Sequence, residues 1–216
     1  VEPNLVQRTV ALLDPSRGDD DYVQSAALYA LESLSHYRTH VQEVLAAVNA
    51  SVSHGTLLQV LQRMTARLAN GPPSAHLDAY VDGVMTLVAY LTTTVSGSSM
   101  IVGAGLIPHL IDIAKLASDE FLVQRTASRA IGLLDSVMYA YPPALTQFID
   151  AHGLGAMVDR VAAEVEHGLA ALPALDVGGE TPAHGRLAFG RVSLLRNMLK
   201  MFLHLMTTPG AGDGLR

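Results

Sequence analysis

Apolar residues recur three and four positions apart along most of the chain, the period of one buried face on an α-helix. The clearest case starts at Val102. Leu106-Ile107, Leu110-Ile111, Ile113-Ala114 and Ala117 form one face, and His109, Asp112 and Lys115 the other. Pro108 falls in the first turn of this helix, where its missing N–H is no loss. The next helix sets Val123, Ala127, Ala130-Ile131, Leu134 and Val137-Met138 against Gln124, Arg125, Ser128, Arg129 and Asp135. Tyr141-Pro142-Pro143 ends it, and Pro143 opens a short helix through Leu145, Phe148 and Ile149. Leu154, Met157-Val158, Val161-Ala162 and Val165 then mark a fourth.

The same spacing predicts helices over Asn4–Leu13, Tyr22–Ser35, Thr39–Ala50, Thr56–Ala69 and Leu77–Leu91. In Tyr22–Ser35 the inward face is Val23, Ala27, Tyr29-Ala30-Leu31 and Leu34. Ser51 to Gly55 makes a corner, and Asn70 to Ser74 is a breaker loop. Leu187–Thr207 reads as a last helix, buried through Val192, Leu194-Leu195, Met198-Leu199, Phe202-Leu203 and Met206, with Pro209 ending it.

Gly-Leu opens helices at Gly105 and Gly153, forty-eight residues apart, and Gly55 stands fifty residues before Gly105. A repeat of this length points to stacked helical units. Each has a short helix, a Gly corner, a second helix and a long third helix, the order of armadillo-type repeats. The pattern predicts an all-α, armadillo/HEAT-like α-solenoid of about three repeats. It occupies 1–216 as a single segment, with corners near 55, 105 and 153 and a flexible insertion at 168–186. Gly214-Leu215 starts a further corner, so the chain is expected to be a fragment of a much longer one. In such a stack each unit buries its open apolar face on its neighbour.

Composition agrees. Half the residues are hydrophobic, 16% are charged, mean hydropathy is +0.29 and Trp is absent. Aliphatic side chains of this kind lose little freedom in a helix. From Gly83 to Ile111 there is no Asp, Glu, Lys or Arg, but Thr92–Thr94, Ser96–Ser99 and Gly103–Gly105 interrupt the run. It reads as two buried helices and a turn, not a membrane span. The N-terminus lacks the basic-then-apolar layout of a signal peptide. A net charge of −6 without a basic run offers no footprint for nucleic acid. No cysteine means no thiolate nucleophile, disulfide or Cys-type zinc site within these residues.

Several constellations invite chemistry and fall short of it. His36 and His40 are four apart, but no HExxH glutamate and no third ligand accompany them, so they read as structural or solvated. Ser53-His54 beside Gly55 reads as corner capping, since sequence neighbours rarely give nucleophile–base geometry. Gly103-Ala104-Gly105 follows no strand and has Pro108 where a dinucleotide loop needs glycine. Asp19-Asp20-Asp21 reads as a solvated loop, and Arg17-Gly18-Asp19 as a chance tripeptide. The eight methionines fall mostly on core stripes. No catalytic, cofactor-binding or metal residue is assigned, and substrate-binding residues are not placed.

A family resemblance rests on Leu28-Tyr29-Ala30-Leu31-Glu32-Ser33-Leu34, Ser51-Val52-Ser53-His54-Gly55-Thr56-Leu57-Leu58, Ala104-Gly105-Leu106-Ile107-Pro108 and Leu194-Leu195-Arg196-Asn197-Met198-Leu199-Lys200. Leu133-Leu134-Asp135 and Tyr141-Pro142-Pro143-Ala144 add to it. In this order they resemble the N-terminal armadillo-like region of the giant HECT-type E3 ubiquitin ligases of fungi, animals and plants. The resemblance covers nearly the whole chain and is weakest at Ser16–Asp21 and Gly168–Arg186. That family catalyses through a C-terminal HECT domain with a thioester-forming Cys, so no catalytic residue carries over. The resemblance implies a non-catalytic scaffold and substrate-recruiting segment, in nucleus and cytoplasm. Its partners would be protein substrates, basic or unassembled, and the remainder of the ligase chain, with no nucleic acid, membrane or cofactor. The alternative is a free-standing armadillo adaptor or peptide carrier. Such carriers read peptides with Trp and Asn on their third helices, and here Asn197 is the one Asn on such a helix.

Overall fold

A computed structural model describes residues 4–14, 17, 20–49, 55–71, 74–171 and 189–207. The expected features at Ser51–His54, Gly18-Asp19, 172–186, Pro209 and Gly214 lie outside these residues. Among the described residues there are eleven helices and no strand. They are α1 (Leu5–Ala11), α2 (Asp21–Ser35), α3 (Val41–Asn49), α4 (Thr56–Asn70), α5 (Ala75–Leu91), α6 (Val95–Ala104), α7 (Leu106–Lys115), α8 (Phe121–Ala140), α9 (Pro143–Asp150), α10 (Gly153–Ala171) and α11 (Phe189–Thr207).

Local chemistry sets several of the boundaries. Ser74 Oγ accepts from the Leu77 N–H at 3.0 Å and starts α5. Thr94 Oγ1 accepts from the Gly97 N–H at 3.1 Å and starts α6. Such caps satisfy N–H groups that a helix start leaves open. They explain why Ser96–Ser99, expected to break the chain, is helical. Ser98 is buried with its hydroxyl donating to the Thr92 carbonyl at 2.8 Å. Gly97 lets the turn close on the Leu91 carbonyl, where a Cβ would collide. Pro143 occupies the first turn of α9.

The corners are alike without being identical. Gly55 and Gly105 adopt φ of 93° and 113°, the region that favours glycine. At the third corner His152 takes the positive φ, 55°, and Gly153 does not. Gly153 is needed for another reason: a Cβ there would sit inside the ring of Phe148, which is fully buried. Asn4, at φ 68°, precedes Leu5 at the start of α1 in the same way.

The long helices pack in sequence order. α2 lies along α5, and α11 lies along α8, each over an extended contact, while α5 meets α8 over a shorter one. Glycine permits the two close approaches: Gly83 on α5 faces Leu28 on α2, and Gly190 on α11 faces Gln124 on α8. On the other side α4 packs on α7 and α7 on α10. Between these rows runs one core, which includes Leu28, Leu61, Tyr80, Val84, Ile107, Leu110, Ile131, Leu134 and Met198. Complete burial of a Leu or Ile is worth about 1.5–3 kcal/mol. The arrangement is consistent with an α-solenoid.

Some faces differ from expectation. On α2, Val23, Tyr29 and Ala30 are exposed, and Gln24, Ser25 and Ser35 are buried instead. On α8 the polar side is buried as well, through Gln124, Ser128 and Asp135, because α11 covers it. Ala117, Val158, Ala162, Val165, Val192, Leu199, Leu203 and Met206 are exposed rather than core. Helix α10 runs through Ala171, so Gly168 is helical rather than the start of an insertion. No single helix among the described residues is long and apolar enough to cross a membrane. The apolar pair α6–α7 is bent by 74°.

Gly153→Ala should lower stability by about 1–3 kcal/mol through the clash with Phe148. Gly155→Ala, in open space two residues later, should raise it by up to about 1 kcal/mol. Chemical denaturation of the two variants reads the difference directly.

Candidate interaction surface

The row α2, α5, α8, α11 presents side chains that reach from helix to helix. Asp82 on α5 is the central acceptor. Tyr29 Oη donates to its Oδ2 at 3.0 Å from α2, and Arg129 Nη1 donates to its Oδ1 at 2.6 Å from α8. Arg129 also reaches Thr86 Oγ1 at 3.0 Å, and Arg125 pairs with Asp78 one turn away. Partial burial, then the hydrogen bond to Asp82, push the Tyr29 phenol above its ordinary pKa. The two α5 carboxylates are therefore answered by α8 arginines. Behind Arg129 a cavity of about 250 Å³ opens between α5 and α8, lined by Met85, Ala89, Gly132, Leu133 and Ser136.

The α8–α11 seam buries polar contacts beside the apolar Leu194, Met198, Met201 and Leu205. Asn197 Nδ2 donates to the Ser128 carbonyl at 2.9 Å and to Ser128 Oγ at 3.0 Å, and Ser128 Oγ meets Ser193 Oγ at 3.1 Å. Asp135 takes His204 Nδ1 at 2.7 Å and Lys200 Nζ at 3.3 Å. The His204 ring lies 5.1 Å from that of Tyr139. Beside it a second cavity, of about 350 Å³, is bounded by Met138, Pro142, Leu145 and Thr207.

A buried charge cluster joins α10 to its neighbours. Arg160 Nη1 donates to the Leu116 carbonyl at 2.7 Å, closing the C-terminal end of α7. Its Nη2 lies 2.8 Å from Glu164 Oε1, but Nη2 and Nε make no directed hydrogen bond, so that contact is chiefly coulombic. Burial lowers the Arg160 pKa, Glu164 raises it and Arg191 lowers it. Arg191 completes the cluster by donating to Glu164 and to Asp119. Removing one partner strands a buried charge, which costs far more than the intact set contributes.

The residues singled out in the sequence have ordinary partners. His36 Nε2 contacts Glu32 at 2.7 Å and its ring stacks on Tyr90 at 4.2 Å. His40 Nδ1 contacts Glu43 at 3.2 Å. Asp21 pairs with Arg67. Gly105 is a helix corner and Gly103 is helical. Six methionines are buried, whereas Met100 and Met206 are exposed. Among the described residues no group of three His, Asp or Glu is placed to hold a metal ion. Nor do those candidates converge on a nucleophile, base and acid. The α11 outer face carries Val192, Leu199, Leu203 and Met206 at helical spacing, all exposed, with Leu203 at 60% and Met206 at 73%.

Two measurements test this electrostatic layout. Arg191→Met should cost about 3–5 kcal/mol, the loss expected when a buried ion pair is broken from one side; calorimetry would register it. His109, whose Nε2 lies 3.4 Å from Gln62 Nε2 across α4–α7, has its pKa lowered by burial, with Asp112 opposing. The folded state thus takes up this proton less readily than the unfolded state. Its contribution is fully present above the ordinary value of 6.5 and is lost as pH falls towards the folded pKa. His109→Gln should flatten that acid-side loss in thermal melts.

Known proteins share parts of this sequence. Residues 1–66 match a family described as Domain of Unknown Function DUF908, and residues 128–216 match Domain of Unknown Function DUF913. The E3 ubiquitin-protein ligase ptr1 of Schizosaccharomyces pombe is 25% identical over the whole chain, which covers 7% of that relative. The E3 ubiquitin-protein ligase TOM1-like of Neurospora crassa is 28% identical over 97% of the chain and 5% of the relative. The E3 ubiquitin-protein ligase UPL1 of Arabidopsis thaliana is 29% identical over 76% of the chain and 4% of the relative. The chain thus spans less than a tenth of the length of these relatives. Over these stretches it is similar in sequence to E3 ubiquitin-protein ligases of fungi and plants.

Proposed function

We propose that this chain is a non-catalytic scaffold and substrate-recruiting segment of a HECT-type E3 ubiquitin ligase of nucleus and cytoplasm. One observation carries the reading: fungal ligases align with 90% or more of the chain while the chain covers only 5–7% of their length. A segment so small beside its relatives, with no cysteine, leaves the thioester chemistry to the rest of the parent.

The architecture we assign is armadillo/HEAT-like. The units are α3–α4–α5, α6–α7–α8 and α9–α10–α11, with α1–α2 as the end of a preceding one. In a solenoid each unit needs a neighbour for its apolar face. The exposed stripe on α11 is then the seat of the following part of the ligase chain. Clients would be basic or unassembled proteins. Since Asp78 and Asp82 are already held by arginine, a basic client would be drawn to the exposed acids elsewhere, such as Asp159 and Glu166 on α10. A free-standing peptide carrier is the weaker reading, because the Asn197 amide it would use is spent on Ser128.

The test uses the full ligase. Asp159→Arg with Glu166→Arg should leave ubiquitin thioester formation unchanged and reduce ubiquitination of a basic client severalfold. Unchanged client modification would remove the recruiting role and leave an architectural one. Failure of the parent to form a thioester at all would sink the ligase assignment.

A further inference from the structure

Lysine is among the commonest residues of soluble domains, yet only Lys115 and Lys200 occur here, two of fourteen cationic residues. The other twelve are arginine. Geometry accounts for part of this: Arg67, Arg125, Arg129 and Arg191 pair with acids on other elements and Arg160 reaches the Leu116 carbonyl after α7, and a planar fork of donors suits such bridges better than an ammonium. It does not account for Arg38 and Arg196, which are exposed and for which lysine would serve solubility equally well.

The two cations differ in one reaction that matters to a ubiquitin ligase. A deprotonated lysine Nζ attacks the thioester carbonyl at the C-terminus of activated ubiquitin. The C–N isopeptide bond forms, the C–S bond breaks, and the departing thiolate takes up the second proton of the amine. A guanidinium stays protonated and cannot do this. Each lysine also faces a carboxylate. Lys200 lies 3.3 Å from the buried side chain of Asp135, but its own side chain is largely exposed beside the apolar stripe of α11. Lys115 lies 3.6 Å from Asp112, and both of these side chains are more than half exposed, so that tie is weak.

Resting on the ligase reading above, we infer that this segment is a surface depleted of ubiquitin acceptors. It can lie within reach of the parent's own catalytic end with only two acceptor sites to offer, Lys115 and Lys200. Protection comes from the choice of arginine for nearly all positive charge, not from burial.

The experiment is self-ubiquitination of the full ligase with activating and conjugating enzymes, ubiquitin and ATP, followed by peptide mapping of modified lysines. The natural protein should carry little modification in this segment, confined to Lys115 and Lys200. A variant with Arg38→Lys and Gln7→Lys, both exposed positions remote from α11, should gain modification at both new lysines. Total ubiquitin on the segment should then rise severalfold, with thioester formation unchanged. If the new lysines stay unmodified while the rest of the ligase modifies itself, the segment is simply out of reach and the inference is overturned. Absence of any thioester would overturn the ligase reading and this inference with it.

Discussion

Helix α8 is the constraint on which the rest depends. It is enclosed on nearly every side, with Val123, Ala127, Ile131 and Leu134 in the core and Gln124, Ser128 and Asp135 under α11. A helix enclosed in this way can keep polar residues only if each finds a partner. Gln124 Nε2 donates to the Ser118 carbonyl at 3.1 Å, Ser128 meets Ser193 and Asn197, and Asp135 meets His204 and Lys200. These contacts fix register as well as contact. Shifting α11 by one turn would break the present pairings at Ser128 and Asp135 together. Apolar packing alone would tolerate such a slip far better.

The seam on the other side of α8 is made differently. Arg125 and Arg129 reach across to α5 as partly exposed ion pairs, which contribute little each. A groove of about 250 Å³ lies between α5 and α8 beside Arg129. By contrast, Gly83 brings α2 directly onto α5. Two close-packed helix pairs are thus joined by a looser polar seam.

Legibility in the sequence followed the physics of burial. Helices α4, α5, α7 and the core side of α8 could be read because one face meets the core and the other meets water. Helix α6 could not, since its Ser98 and Gly97 are buried through hydrogen bonds and backbone contact that hydropathy does not register. Tyr29 resembles a core residue until α5 supplies Asp82 for its hydroxyl at the surface. The outward faces of α10 and α11 look like core because their apolar residues keep the period while no described helix covers them. The Arg160–Glu164–Arg191–Asp119 cluster had a local hint, a pair of opposite charges four apart on α10. Its other members join across 27 and 72 residues, distances that no local pattern encodes.

That cluster bears on how the chain tolerates change in length. Arg191 opens α11 and reaches back to Glu164 on α10 and Asp119 before α8, so α11 is anchored on both sides by charge. The register of α11 therefore does not rest on residues 172–188, which connect the two helices in sequence. Closing a longer connection costs little, about 0.6 kcal/mol for each doubling of its length. Insertions between Ala171 and Phe189 can accumulate without unseating the last helix. This is a place where related chains can diverge in length while keeping the same stack.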